Sequence, residues 1–134
     1  MAYLGQGPAA IASFTPGQQI EDVILADYAE LTQAKGNLGA TPEFDLTAGQ
    51  SITGTVDQNI TSSTIVNPVA ADDNTGFTLK LTNGGAFTIV WPTSFKWPDA
   101  TAPTLTAAGT DTVVGYTVDG GTTWNVAIAM TNNS

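Results

Sequence analysis

From residue 41 onward, apolar and polar residues alternate in short runs, the period of strands with one face turned to a core. The clearest run is 77–82, where Phe77, Leu79 and Leu81 share one face and Thr78, Lys80 and Thr82 the other. Asn83-Gly84-Gly85 follows, and Asn-Gly favours a tight hairpin because both residues tolerate positive φ. The predicted return strand is 86–91, ended by Pro92, which has no N–H for a ladder bond. A second hairpin is predicted from 112–118 and 123–130 around Asp119-Gly120-Gly121. Earlier, 51–56 alternates, 59–66 is rich in threonine and ends at Asn67-Pro68, and 44–47 leads to a turn at Ala48-Gly49-Gln50. Strands joined by short turns, with no helices between them, predict an all-β domain over 27–134: an antiparallel β-sandwich or jelly-roll-like barrel.

The N-terminal third reads differently. In 20–35, Ile20, Val23, Ile24, Tyr28, Leu31 and Ala34 recur at three- and four-residue spacing, an amphipathic-helix pattern. Thr15-Pro16-Gly17-Gln18 resembles a capping box, and Gly36 suits a helix stop. The same stretch can alternate as a strand, with Tyr28, Glu30 and Thr32 on one face. Residues 1–17, with three glycines and two prolines, read as an extended arm in which Tyr3, Leu4, Ile11 and Phe14 are spaced apolar residues. Such a segment is either an unstructured terminus or an arm docking on a neighbouring subunit through those four side chains. The arm is taken to span 1–26.

Composition narrows the chemistry. The 134 residues carry 12 Asp and Glu against three lysines, a formal net charge of −9, and only 11% are charged. Neutral polarity comes instead from 22 threonines, eight asparagines and 14 glycines. Without cysteine there is no disulfide, thiol nucleophile or zinc–thiolate site, and without histidine no Ser–His–Asp triad or imidazole ligand. Lys35, Lys80 and Lys96 are too few and too scattered to neutralise phosphates, so neither nucleic acid nor an anionic membrane is an expected partner. Residues 1–14 show no basic or apolar signal region, so the expected product is soluble and made without a signal peptide.

The remaining constellations are weak. Asp72-Asp73-Asn74-Thr75 lacks the spacing of an EF-hand loop and reads as a solvated turn, so no metal or cofactor is expected. Asp57, Asp99, Asp111 and Asp119 fall at turns or strand edges, where acids are ordinary, and no enzymatic activity is expected. Trp91, Trp97 and Trp124 read as packing under the Pro-rich connection rather than as a platform for a sugar. Asn59-Ile60-Thr61 matches a glycosylation sequon that a chain without a signal peptide would not expose to the machinery.

The order of short motifs carries a resemblance. Asn67-Pro68, Gly76-Phe77-Thr78-Leu79-Lys80-Leu81 and Thr88-Ile89-Val90-Trp91-Pro92 are followed by Lys96-Trp97-Pro98, Thr101-Ala102-Pro103-Thr104-Leu105 and Asp119-Gly120-Gly121-Thr122-Thr123-Trp124. Together with Asp27-Tyr28-Ala29-Glu30, Gly36-Asn37-Leu38 and Phe44-Asp45-Leu46-Thr47, this series resembles a β-domain that recurs in virion proteins of tailed bacteriophages. It covers 27–130. The resemblance implies a virion component without catalytic residues, and a first strand rather than a helix at 28–35. Two functions follow from it. One is a capsid decoration (cement) protein on the virion exterior, whose partners are the major capsid protein and copies of itself as a homotrimer. The other is a short tail-fibre or tail-tip adhesin binding a host receptor.

Overall fold

The computed structural model describes residues 29–71 and 73–133. The arm residues Tyr3, Leu4, Ile11 and Phe14, and the helix-or-strand choice over 20–28, lie outside them. Eight strands follow in order: β1 (Thr32–Asn37), β2 (Glu43–Asp45), β3 (Ser51–Thr55), β4 (Thr64–Val66), β5 (Thr75–Thr82), β6 (Phe95–Lys96), β7 (Thr110–Thr117) and β8 (Trp124–Met130). Among the described residues the only helical turns are two short 3-10 pieces, Gly84–Ala86 and Pro98–Ala100. Residues 32–35 are therefore strand, as the resemblance implied and the helical spacing did not.

The expected all-β character holds, but the antiparallel arrangement does not. The main sheet is mixed, in the order β1-β3-β5-β7-β8-β6, and β2 pairs with β4 in a second small sheet. Both β1·β3 and β3·β5 are parallel, as are β2·β4 and β6·β8. The cause is a winding. From β1 the chain crosses to β2 in the second layer, returns as β3, crosses again to β4 and returns as β5. Each return enters from the same end, so successive strands stack in parallel, as in the coils of a β-solenoid. A third ladder closes the coil: Ile60 bridges Ile89 in parallel, and Ala40 accepts from the Thr61 N–H at 2.8 Å. Only β5·β7 and β7·β8 are antiparallel, and the latter is the predicted second hairpin.

The predicted 77–82/86–91 hairpin is absent. Asn83 takes the left-handed conformation (φ 61°), as Asn-Gly favours, but the following 3-10 turn leads out of the sheet. Both edges of β5 are already paired, to β3 and to β7, so residues 86–91 have no free edge to join. Gly85 lies so close to the Leu105 backbone that a Cβ there would collide with it.

The core fills the space between the layers. Ile52, Phe77, Leu79, Leu81, Val113 and Val126 point inward from the main sheet, and Phe44, Leu46, Ile60 and Leu105 meet them from the covering side. The aromatic residues join the coil to the hairpin: Phe77 meets Trp124 edge-on at 5.3 Å and stacks on Phe95 at 5.9 Å. Trp91 and Trp97 extend the cluster outward, 5.2 Å apart. Trp124 is fully buried, Trp91 and Trp97 are partly buried against the core, Trp91 lies beside Pro103 of the Pro-rich connection, and Trp97 also borders the open surface.

Phe77 has room because residue 115 lacks a side chain. A Cβ at Gly115 would stand 2.5 Å from the Phe77 ring and 2.8 Å from Val126. Gly115→Ala is expected to destabilise the domain by about 1–3 kcal/mol through overpacking. A shift of the urea midpoint at unchanged slope is the measurement that checks it.

Candidate functional site

One face of the main sheet is packed; the other is open, and the register decides what it displays. Thr53, Lys80 and Thr112 form one row across β3, β5 and β7, Thr112 itself buried and bonded by the Asn133 amide, and Thr55, Thr82 and Thr110 form another. The Thr82 and Thr110 hydroxyls are 3.1 Å apart and bonded to each other. A third row runs Ser51, Thr78, Val114, Ala127, and a fourth Gly76, Tyr116, Asn125, with Lys96 beside Asn125 on β6. β-branched threonines suit a pleated surface and satisfy their hydroxyls without adding charge.

Charge is distributed unevenly between the two sides. Among the described residues, no Asp or Glu projects from this face within the strands, while two of the three lysines, Lys80 and Lys96, do. Glu30 stands at its rim. The other acids sit on β2, in loops or inside: Glu43 and Asp45, then Asp57, Asp73, Asp99 and Asp119, with Asp111 buried.

The hairpin end of the open face carries a groove of about 490 Å³. Val114 and Tyr116 of β7 form one wall, Asn125 and Ala127 of β8 the floor, and Lys96, Trp97 and Pro98 the far end. Tyr116 is 50% exposed, and Val118, next on the same parity, 53%. The arrangement can receive an apolar or aromatic group and offer it an amide and an ammonium. The aromatic cluster fixes the Trp97 wall, since Trp97 packs on both Trp91 and Phe95.

The carboxylates with displaced acidities are all turn-holders. Burial pushes Asp111 up, but the Thr106 N–H, the Asn132 N–H (3.0 Å) and the Thr106 hydroxyl (2.7 Å) outweigh it and leave its pKa below the usual value. Asp45 is lowered by the Asn67 amide (2.9 Å) and then by the Thr47 hydroxyl and N–H. Asp119 is lowered by the Thr123 N–H (2.9 Å) and the Thr117 hydroxyl (2.7 Å). All three are ionised acceptors at neutral pH, the opposite of what a general acid needs. Among the described residues no three acidic side chains converge on a common metal position.

The contact residues expected from sequence, Tyr3, Leu4, Ile11 and Phe14, lie outside the described residues, so the structure neither gathers nor separates them. The sequence reading assigned Thr78, Lys80 and Thr82 to the outward face correctly. It did not single out Val114 and Tyr116 as surface residues; their partners Thr78 and Gly76 on β5 place them on the open face. Compared with known proteins, the chain matches no family model, no curated protein and no solved structure.

Acid should loosen this domain in a defined way. A carboxylate with a lowered folded pKa contributes stability above its unfolded value, about 3.9, and loses it as pH falls through the folded value. Denaturation midpoints should therefore hold near neutrality and drop below about pH 4. Asp111→Asn, which turns an amide toward three donors, should cost about 3 kcal/mol at pH 7. Its deficit against the parent should shrink as pH falls through the lowered range of Asp111; equal stability at pH 7 would refute the clamp.

Proposed function

We propose that this chain is a non-enzymatic structural protein of a tailed-bacteriophage virion, a capsid decoration protein that cements the shell from outside. The observation that carries the reading is the open sheet face, which among the described residues carries no carboxylate within its strands, on a chain of net charge −9. A carboxylate trapped in an interface loses its hydration without return, whereas threonine and apolar side chains are buried at small cost. A face destined for contact is best built from the second kind. The motif series supports the same reading, and the domain enters it as a two-layer β-sandwich made by coiling.

The work of such a protein is mechanical. An interface of ordinary size buries about 1,600 Å², and apolar area contributes roughly 25 cal/mol per Å² before the costs of association. Repeated at every lattice position, this opposes separation of capsomers. The partners are the major capsid protein and further copies of this chain as a homotrimer. The arm, 1–26, serves as the attachment segment through Tyr3, Leu4, Ile11 and Phe14. Acids on the loops keep the exterior negative and repel nucleic acid. No cofactor is required.

The groove favours a second reading, a tail-fibre or tail-tip adhesin. Trp97 and Tyr116 beside Asn125 and Lys96 are groups that can stack on and hydrogen-bond to a host sugar.

Binding to particles grown without this protein separates the two. The purified chain should saturate shells at a stoichiometry matching the capsid lattice. Thr53→Glu with Thr78→Glu, which places charge on the open face, should weaken binding at least tenfold, about 1.4 kcal/mol. Thr122→Glu, on an exposed turn, should leave it unchanged. Binding to host cells and not to shells would replace decoration with adhesion, and full binding by the face variant would refute the assigned surface.

A further inference from the structure

We infer that Lys80 pairs with a carboxylate of the partner surface, so that the depression around it takes an acidic side chain of the capsid protein. The inference rests on the reading of the open face as the contact side, and deepens it. None of the residues lining this depression lines the groove at the hairpin end, so the groove stays open to a ligand of its own.

Position is the first argument. β5 is the third of six strands, and Lys80 stands in the middle of the face with Thr53 of β3 and Thr112 of β7 at its sides. Its side chain is exposed. A contact that covers the middle of the face strips water from this ammonium, and a charge buried without a partner is costly. Lys96, on the edge strand β6, can keep its ammonium in water at the margin of such a contact. Among the described residues nothing on the face neutralises Lys80: its neighbours across the sheet are threonines, as are Thr78 and Thr82 two positions away along β5. Lys35, by contrast, lies near Asp45. The counter-charge for Lys80 therefore comes from what the face meets.

The chemistry of the depression selects a carboxylate. It has a volume of about 430 Å³, and Lys80 is its only charged lining residue, accompanied by the hydroxyls of Thr53, Thr55, Thr82 and Thr110. On the β1 side a Cβ at Gly36 would meet nothing within 4 Å, so the approach is unobstructed. The Thr82 and Thr110 hydroxyls share one hydrogen bond of 3.1 Å, which leaves one of the two O–H groups to donate outward. One ammonium with hydroxyl donors balances one carboxylate. A phosphate group carries nearly twice that charge, and the excess would face a chain of net charge −9. At physiological salt the acids on distant loops are screened beyond about 8 Å, so the ammonium at the contact governs pairing there.

The test uses the full-length protein and shells grown without it. Lys80→Gln should weaken binding about tenfold or more, whereas Lys35→Gln, an equal change in net charge, should alter it less than about twofold. Raising salt from about 50 to 500 mM should weaken the parent more than it weakens Lys80→Gln. Shells whose surface carboxylates have been converted to neutral amides should bind the parent no better than untreated shells bind Lys80→Gln. An unchanged urea midpoint, expected for an exposed side chain, would show that Lys80→Gln loses binding and not folding. If the parent binds shells and Lys80→Gln binds them equally well, the inference is overturned and the contact face stands. Full binding to the amidated shells would overturn it too, by excluding a carboxylate as the partner group. A parent that binds no shells at all removes the decoration reading, and this inference with it.

Discussion

Phe77 holds together two halves built on different plans. On its N-terminal side the chain coils, laying β1, β3 and β5 in parallel; on its C-terminal side it folds back as the β7–β8 hairpin. The Phe77 ring lies where they meet, edge to Trp124 of the hairpin and stacked on Phe95 of the short β6. Such pairs contribute about 0.5–1.5 kcal/mol each beyond the area they bury. The consequences spread outward. Gly115 must lack a side chain to admit the ring, and β6 needs only two residues because its aromatic side chain, rather than a long ladder, anchors it. Trp91 and Trp97 continue the cluster to the surface, where Trp97 becomes the end wall of the groove. Core packing thus sets the shape of the candidate binding surface.

A second constraint is the placement of charge. A strongly acidic chain must put its carboxylates somewhere, and this one uses several as acceptors for turns. Asp45 ties β2 to Asn67, Asp119 organises the β7–β8 connection, and Asp111 joins the start of β7 to Thr106 and Asn132. Each lowers the repulsion it would otherwise add by receiving N–H and O–H dipoles. With acids consumed in loops, the strands are left to threonine, and among the described residues the open face carries Lys80 and Lys96 but no carboxylate within its strands. The surface read above as a contact face and the turns that hold the fold are two results of one distribution.

Local signals in the sequence were enough for much of this. Alternation in 77–82 and 51–56 located β5 and β3, and Asp119-Gly120-Gly121 located the hairpin, because partners joined by a tight turn share a register fixed by that turn. The parallel pairs were not legible. Ile52 and Leu79 are neighbours only because the chain visits a second layer between them, and no nearby residue records that detour. Residues 86–91 alternate like a strand yet leave the sheet, since pairing depends on a free edge that pattern does not report. The same limit hid the groove. Val114 and Tyr116 alternate as well as any core pair, and only their register against Thr78 and Gly76 turns them outward.

The proposed contact side of the proposed virion component is the open face, which carries no carboxylate within its strands among the described residues. A density map of the intact virion, resolved well enough to orient the domain, tests it most directly. The account predicts domains on the outer shell surface with the threonine rows of β3, β5 and β7 turned inward, and the loops bearing Asp57, Asp73 and Asp119 turned to solvent. Domains seated with those loops against the shell and the threonine rows facing outward would contradict it.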